Sequence, residues 1–240
     1  MKNFTFIFLL LLIVFTIYSC HRKNQLPIYT NVPQSILKDP KQQPTSRPCF
    51  TVQINKRVHP IIPLREYEIS GLIVSCGFSE SLSKYHNDTL NLMDVGLIWG
   101  DNMNPKLYKK VKFHTNGVRL FFKSTHQEVW NRFRFDQISN NHLICTNALL
   151  RKKIKKLHRG ELISIKGFLA NYSGRRSSLT RTDRGDGACE VLWVDELTIL
   201  EDKTALWNHF FWNGIYAIIG LLLMIVFHFF FAPIKKGSVQ

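Results

Sequence analysis

The chain has no Cys-x-x-Cys, no His-Glu-x-x-His, no Gly-x-Ser-x-Gly and no phosphate-binding glycine-rich loop in its 240 residues. Those absences count against the commonest dithiol, zinc, serine-hydrolase and nucleotide-binding chemistries. Acidic residues are scarce, 17 Asp+Glu against 32 Lys+Arg, which leaves a formal charge of +15. Five cysteines are too few for a disulfide-dense miniprotein, and an apolar content of 45% is too high for wholesale disorder. No internal repeat is visible. Charge itself is missing from two stretches, and these govern the reading of the chain.

The first runs from Phe4 to Tyr18, after Lys2 and before Cys20, and is built from Phe, Leu, Ile and Val. An apolar run of about 15 residues has the length of a signal-peptide core and is short of the roughly 20 that span a bilayer. Ile17-Tyr18-Ser19-Cys20 resembles the lipobox of bacterial lipoproteins, which implies lipidation at Cys20, although Tyr18 stands where that motif prefers a small residue. Residues 1–20 are therefore expected to be a signal peptide, a lipoprotein signal or an anchor. The second stretch lies between Lys203 and Lys235, where no charged residue occurs, and Gly214 to Ala232 is apolar apart from His228. A charge at mid-bilayer costs about 2.5 to 3.5 kcal/mol, so an uncharged run is what a span requires. Residues 206–233 are read as a transmembrane helix with flanks. Trp207, Phe210, Phe211, Trp212 and Tyr216 crowd one end of it, as rings do at a headgroup layer.

Lys2, Lys235 and Lys236 favour cytoplasmic ends, while Arg22, Lys23 and Lys203 pull the other way. The export-signal shape and Cys20 tip the balance. The expectation is a bacterial inner-membrane protein with a single C-terminal span and a periplasmic domain.

Seven of nine prolines fall between Pro27 and Pro63, so residues 21–48 are expected to be an extended or disordered tether. Residues 49–203 then form the folded part. Phe50, Val52 and Ile54 alternate, and Tyr67–Cys76, Val95–Trp99, Val118–Phe122, Leu162–Ala170 and Val191–Leu200 read as strands. Asn116-Gly117 marks a hairpin turn. One helix follows a cap at Thr146 or Asn147, carries Leu150, Ile154 and Leu157, and is expected to stop at Gly160. The fold class is a β-rich α+β soluble domain, for which a small, partly open barrel is the closed form such strands can take.

Three groupings could carry chemistry. The helix surface bears Arg151, Lys152, Lys153, Lys155, Lys156 and Arg159, a stripe suited to phosphates, acidic headgroups or anionic envelope polymers. Residues 21–205 hold 29 Lys+Arg and all 17 Asp+Glu, a net of +12, so the bias is domain-wide. The long polar segment Asn171 to Ala188 offers Arg181, Asp183, Arg184 and Asp186 for clasping a ligand. Cys189 and His142, if brought together, would give an activated thiolate, with Asn140, Asn141 or Asp94 orienting the imidazole. Against that stands an even set of four cysteines, Cys49, Cys76, Cys145 and Cys189, which could form two disulfides in any of three pairings. His86, Asp88 and Asp94 share a segment but match no zinc spacing, so neither metal nor cofactor is expected.

Ser139-Asn140-Asn141-His142-Leu143-Ile144, followed by Thr180-Arg181-Thr182-Asp183, Gly185 and Gly187-Ala188-Cys189-Glu190, resembles two blocks in a group of uncharacterised bacterial membrane-anchored proteins. The likeness covers roughly residues 66–200. It implies a bacterial source and a shared domain, and it brings no activity with it. The functional expectation is a membrane-anchored envelope protein, more simply a non-enzyme, whose basic domain binds an anionic polymer, a lipid headgroup or a protein partner. A thiol-dependent hydrolase or transferase using Cys189 and His142, with Arg181 or Arg184 holding an anionic substrate, is the alternative. Nucleic acid becomes the natural partner only if the domain faces the cytoplasm.

Overall fold

A computed structural model describes residues 2–54, 56–78, 90–117, 119–183, 185 and 187–231. His86, Asp88, Val118, Arg184, Asp186, Lys235 and Lys236 lie outside the described residues. The chain divides into two compact units, one made of its two ends and the other of Leu26–Lys203.

The first unit is a pair of helices, α1 (Lys2–Lys23) and α5 (Ala205–Phe231). Both are long and apolar enough to cross a membrane, so the protein has two candidate spans where one had been expected; an N-terminal helix of this kind is also the form a signal sequence takes. The helix does not end at Cys20. Helix α1 continues through Cys20 to Lys23, because nothing from Tyr18 to Lys23 breaks a helix. The two helices meet through Phe15 and Phe210, with centroids 5.5 Å apart, and Tyr18 and Trp207, also at 5.5 Å. Arg22 lies over Trp207 at 4.9 Å and Lys23 over Phe211 at 3.7 Å. Thr16 and Ser19 return their hydroxyls to the carbonyls of Leu12 and Phe15, as polar groups must in an apolar setting.

The second unit contains a seven-stranded sheet. Its strands are β1 (Lys41–Pro44), β2 (Phe50–Ile54), β3 (Arg57–Phe78), β4 (Asn91–Ile98), β7 (Ile138–Ile144), β8 (Glu161–Tyr172) and β9 (Glu190–Asp202). A separate hairpin joins β5 (Lys112–Thr115) to β6 (Leu120–Lys123) around the expected Asn116-Gly117 turn, with Gly117 at φ 81°. Among the described residues three short α-helices accompany the strands: α2 (Pro105–Tyr108), α3 (Gln127–Arg132) and α4 (Ala148–Ile154). Asn147 caps α4 by accepting from the Leu149 and Leu150 amides, as its sequence position foretold. The helix stops at Ile154, two turns before Gly160, so the expected stop signal is not where it ends.

The long strand β3 pairs antiparallel with β4 through Leu72–Phe78 and with β8 through Ile61–Leu72. Strand β4 pairs with β7, β7 runs parallel to β9, and β9 pairs with β8, so the pairings return to β3. Alternate residues of all five strands meet in one cluster that includes Ile69, Val95, Leu143, Ile165 and Leu192. At Gly167, where the β8–β9 register shifts, an added Cβ would fall 1.8 Å from the Trp193 carbonyl oxygen; only glycine fits that approach.

Residues 26–48 are not the bare tether that their prolines suggested. Leu26, Tyr29 and Ile36 are buried against Leu72, Val74, Tyr108 and Phe133, and β1 pairs with β3. Burying a side chain such as Ile36, which is 0% exposed, contributes about 1.5–3 kcal/mol, enough to hold a proline-rich segment against a fold. Hydrogen bonds add register: Tyr108 to the Pro27 carbonyl at 2.7 Å and Tyr29 to the Gly160 carbonyl at 2.6 Å.

Candidate functional site

Strand alternation sends Met93, Val95 and Leu97 inward from β4 and turns Asp94 and Gly96 outward. In the β4–β7 register Asp94 opposes His142 and Gly96 opposes Asn140. The parallel β7–β9 register sets Asn141 beside Glu190, which brings Cys189, one residue earlier, to Asn140 on the outer face. His142 Nδ1 and Asp94 Oδ1 are 2.6 Å apart, and Asn91 donates its amide to the same oxygen at 2.7 Å. Asn140 donates to the Cys189 sulfur at 3.3 Å. The Cys189 thiol and the His142 ring are hydrogen-bonded partners. Cys189, His142 and Asp94 thus form a connected row, with Asn140 beside the sulfur.

Electrostatics match that row. Burial opposes a charge on His142, yet Asp94 and Cys189 hold its pKa up at about 9. Burial likewise opposes a thiolate at Cys189, but the hydrogen bonds from His142 and Asn140 and the imidazolium charge bring the thiol below its ordinary value. The pair is thereby biased toward imidazolium and thiolate, each relative to its ordinary titration.

Burial of this row is arranged by glycine. A Cβ at Gly96 would fall 2.8 Å from a Leu120 methyl, and one at Gly77, which opposes Asp94 in β3, would fall 2.8 Å from the Thr115 methyl. The β5–β6 hairpin thus lies over this face, and Asp94 and His142 are 0% and 4% exposed beneath it. Cys189 at the strand end is only partly covered.

The inner face behind the row is also polar. Asn141 donates to Ser139 at 2.8 Å, while Asn141 Oδ1, the Tyr67 hydroxyl and Glu190 Oε2 are buried with no partner among the described residues. Burial pushes the Glu190 carboxyl well above its ordinary value, which favours the protonated form. Sequence reading had offered Asn141 as an orienter of His142; strand alternation turns it to the opposite face. Asn91 and Glu190 were missed as site residues. The signal available was the run of polar residues at 139–142, which is a strand with two polar faces and not a loop.

The other candidates are more dispersed. Arg151 donates to the Cys145 carbonyl at 2.7 Å and Lys153 to the Leu197 carbonyl at 2.5 Å. Arg159 is largely buried, with its guanidinium pKa lowered by that burial. Lys152 and Lys156 are exposed and Lys155 is half-buried. The expected six-charge stripe is therefore divided, because the chain turns off the helix after Ile154. Arg181 pairs with Asp39 at 3.8 Å and Asp183 accepts from Ser178 at 2.6 Å; neither is assembled with Cys189. Arg181 and Tyr67 do line one cleft, of about 420 Å³, together with Gln42, Asp136, Leu179 and Thr180. Cys20 sits within α1, where Asn24 donates to its carbonyl.

All five cysteines are free, which corrects the two-disulfide expectation. Cys145 is buried in the core with Cys76 packed against the same cluster, Cys189 is engaged by His142 and Asn140, and Cys49 is exposed.

Comparison with known protein families, curated proteins and solved structures finds no match for this chain.

Proposed function

We propose that residues 26–203 form a membrane-anchored thiol-dependent hydrolase or acyl transferase in which Cys189 is the nucleophile. The observation that carries this reading is the Asp94–His142–Cys189 row, with the imidazole pKa raised and the thiol pKa lowered. Asp94 engages Nδ1, which leaves Nε2 to accept the thiol proton. The sulfur then adds to a carbonyl carbon and the imidazolium returns its proton to the leaving group, giving a thioester. Water, deprotonated by the same imidazole, or a second acceptor nucleophile releases the acyl group and restores the thiol. Asn140 Nδ2, already beside the sulfur, is the donor in reach of the developing oxyanion.

The architecture we propose for this unit is a small five-stranded barrel. Its support is the cycle of pairings from β3 through β4, β7, β9 and β8 back to β3. By analogy with OB-type barrels, ligands lie on the face of the second and third strands, here β4 and β7, where His142 and Asp94 stand. The net charge of +12 and the cleft at Arg181 support an anionic substrate. We further propose that both helices are retained spans, with the domain on the extracytoplasmic side of the inner membrane. The helix pairing through Phe15, Tyr18, Trp207 and Phe210 supports retention of α1.

The test uses the full chain in detergent. Iodoacetamide alkylation of Cys189, followed by mass spectrometry across pH, is expected to remain fast well below the pH at which free cysteine slows. A p-nitrophenyl ester is expected to leave an acyl group on Cys189. A thiol that titrates like free cysteine, with no acyl adduct, overturns the proposal. Topology is tested at the exposed Cys49. A membrane-impermeant maleimide is expected to label it in intact spheroplasts, and labelling only after lysis reverses the orientation.

A further inference from the structure

A second histidine, outside the thiol row, stands between two carboxylates. Glu161 opens β8 and Asp202 closes β9, and the two are direct partners across the antiparallel ladder. Like charges placed opposite one another destabilise a sheet. Between them His158 Nε2 lies 3.3 Å from Glu161 Oε1 and 3.2 Å from Asp202 Oδ2. We infer that His158, Glu161 and Asp202 bind a divalent transition-metal ion, of which Zn²⁺ is the best-fitting class.

Three features of the geometry carry this. Zinc bonds nitrogen and oxygen at about 2.0–2.1 Å, so adjacent ligand atoms of a tetrahedral site are separated by about 3.3 Å. The two nitrogen–oxygen separations have that value, and all three ligand atoms lie within 4.8 Å of one another. A charge-assisted imidazolium–carboxylate hydrogen bond is shorter, about 2.7–2.9 Å, and one N–H cannot point at two oxygens equally. That N–H serves Asp202, whereas a dication in its place would engage both carboxylates at once.

The surroundings orient the ligands. The His158 amide donates to Glu161 Oε2 at 2.9 Å, which leaves Oε1 for the ion. His158 Nδ1 is 3.4 Å from the Arg159 carbonyl, the kind of acceptor that fixes a ligating imidazole with Nε2 turned to the carboxylates. Glu161 is buried, His158 half-buried and Asp202 partly exposed, so an ion could enter from the Asp202 side. One imidazole and two carboxylates suit a borderline ion better than the all-oxygen shells preferred by Mg²⁺ and Ca²⁺. A dication would neutralise the facing pair and tie the start of β8, the turn after α4 and the end of β9 together. This inference is independent of the thiol reading.

The experiment strips the full chain in detergent with a chelator and dialyses it against Zn²⁺, with bound metal read by atomic emission. About one ion per chain is expected, with a higher Tm. His158→Ala and Asp202→Asn are each expected to weaken binding at least ~10-fold, whereas His142→Gln binds as the native chain does. Co²⁺ in the same site is expected to show no thiolate charge-transfer absorption. Absence of micromolar binding, loss of the ion with His142→Gln, or a thiolate band with Co²⁺ would each overturn the assignment.

Discussion

Two histidines of one domain face carboxylates, and they do so in different ways. His142 meets a single oxygen of Asp94 at 2.6 Å, beneath a hairpin, with a thiol also in reach. His158 stands 3.2 and 3.3 Å from two carboxylates at the end of a ladder and is half-exposed. A short contact to one acceptor localises a proton and gives an ion pair that a neighbouring thiol can share. Two longer contacts that converge on one nitrogen set three ligand atoms within reach of a single cation. Residue type alone does not separate these cases; distance and the number of acceptors do.

The sharpest way to break the contrast is to remove one imidazole and read the other site. His142→Gln keeps a hydrogen-bonding side chain against Asp94 but cannot carry the charge that favours the Cys189 thiolate. Alkylation of Cys189 at pH 6.5 is expected to fall at least ~10-fold, since each pKa unit is a factor of ten in thiolate. Asp94→Asn is expected to give a smaller loss in the same direction. Glu161→Gln is expected to leave the rate unchanged, and a fall there would mean that the two sites are one network.

A pH titration of stability sharpens the same contrast. Unfolded, His142 titrates near 6.5; folded, burial works against its charge but Asp94 and Cys189 hold it near 9. A raised folded pKa stabilises fully below about 6.5 and loses that contribution as pH rises through about 9. Cys189 runs the other way, because a thiol lowered from 9.0 contributes fully above 9 and loses that as pH falls through its folded value. Cys189→Ser removes the second trend. That variant is expected to lose on the order of 1 kcal/mol between pH 6.5 and 9, read by thermal melts, while Cys189→Ser combined with His142→Gln loses less over the same range.

Much of the framework was legible in residue patterns, and the failures have physical causes. Alternation exposed β2, most of β8 and β9, and the hairpin at Asn116-Gly117, because one-sided burial writes a period of two. It missed β7, where Asn140 and His142 on one face and Ser139 and Asn141 on the other make both sides polar. Proline content misread residues 26–48, since three apolar side chains decide whether such a segment docks. Cys189 and His142 could be named as a pair, but their meeting depends on the parallel β7–β9 register, which no local pattern encodes. The His158 cluster joins a turn to the far end of β9, and Asp202 lies 44 residues away, so spacing rules for metal ligands do not reach it.

The smallest expected effect concerns what separates the two sites most plainly, their cover. Gly96 admits the Leu120 side chain over the β4–β7 face, with its two methyls 2.8 and 2.9 Å from where a Cβ would stand. Those atoms are the free end of a leucine, which can rotate aside, whereas the obstacle at Gly167 is a backbone carbonyl. Gly96→Ala is therefore expected to cost less than about 1 kcal/mol, at the mild end of overpacking, as a Tm shift of a few degrees. Because the leucine must move off the row that contains Asn140 and His142, Cys189 is expected to alkylate a few-fold faster, with Zn²⁺ binding at His158 unchanged. A faster thiol with unchanged metal affinity would assign the hairpin to the thiol site alone. An unchanged rate would mean that reagent reaches Cys189 from the open strand end, and that the hairpin excludes water from His142 without gating the sulfur.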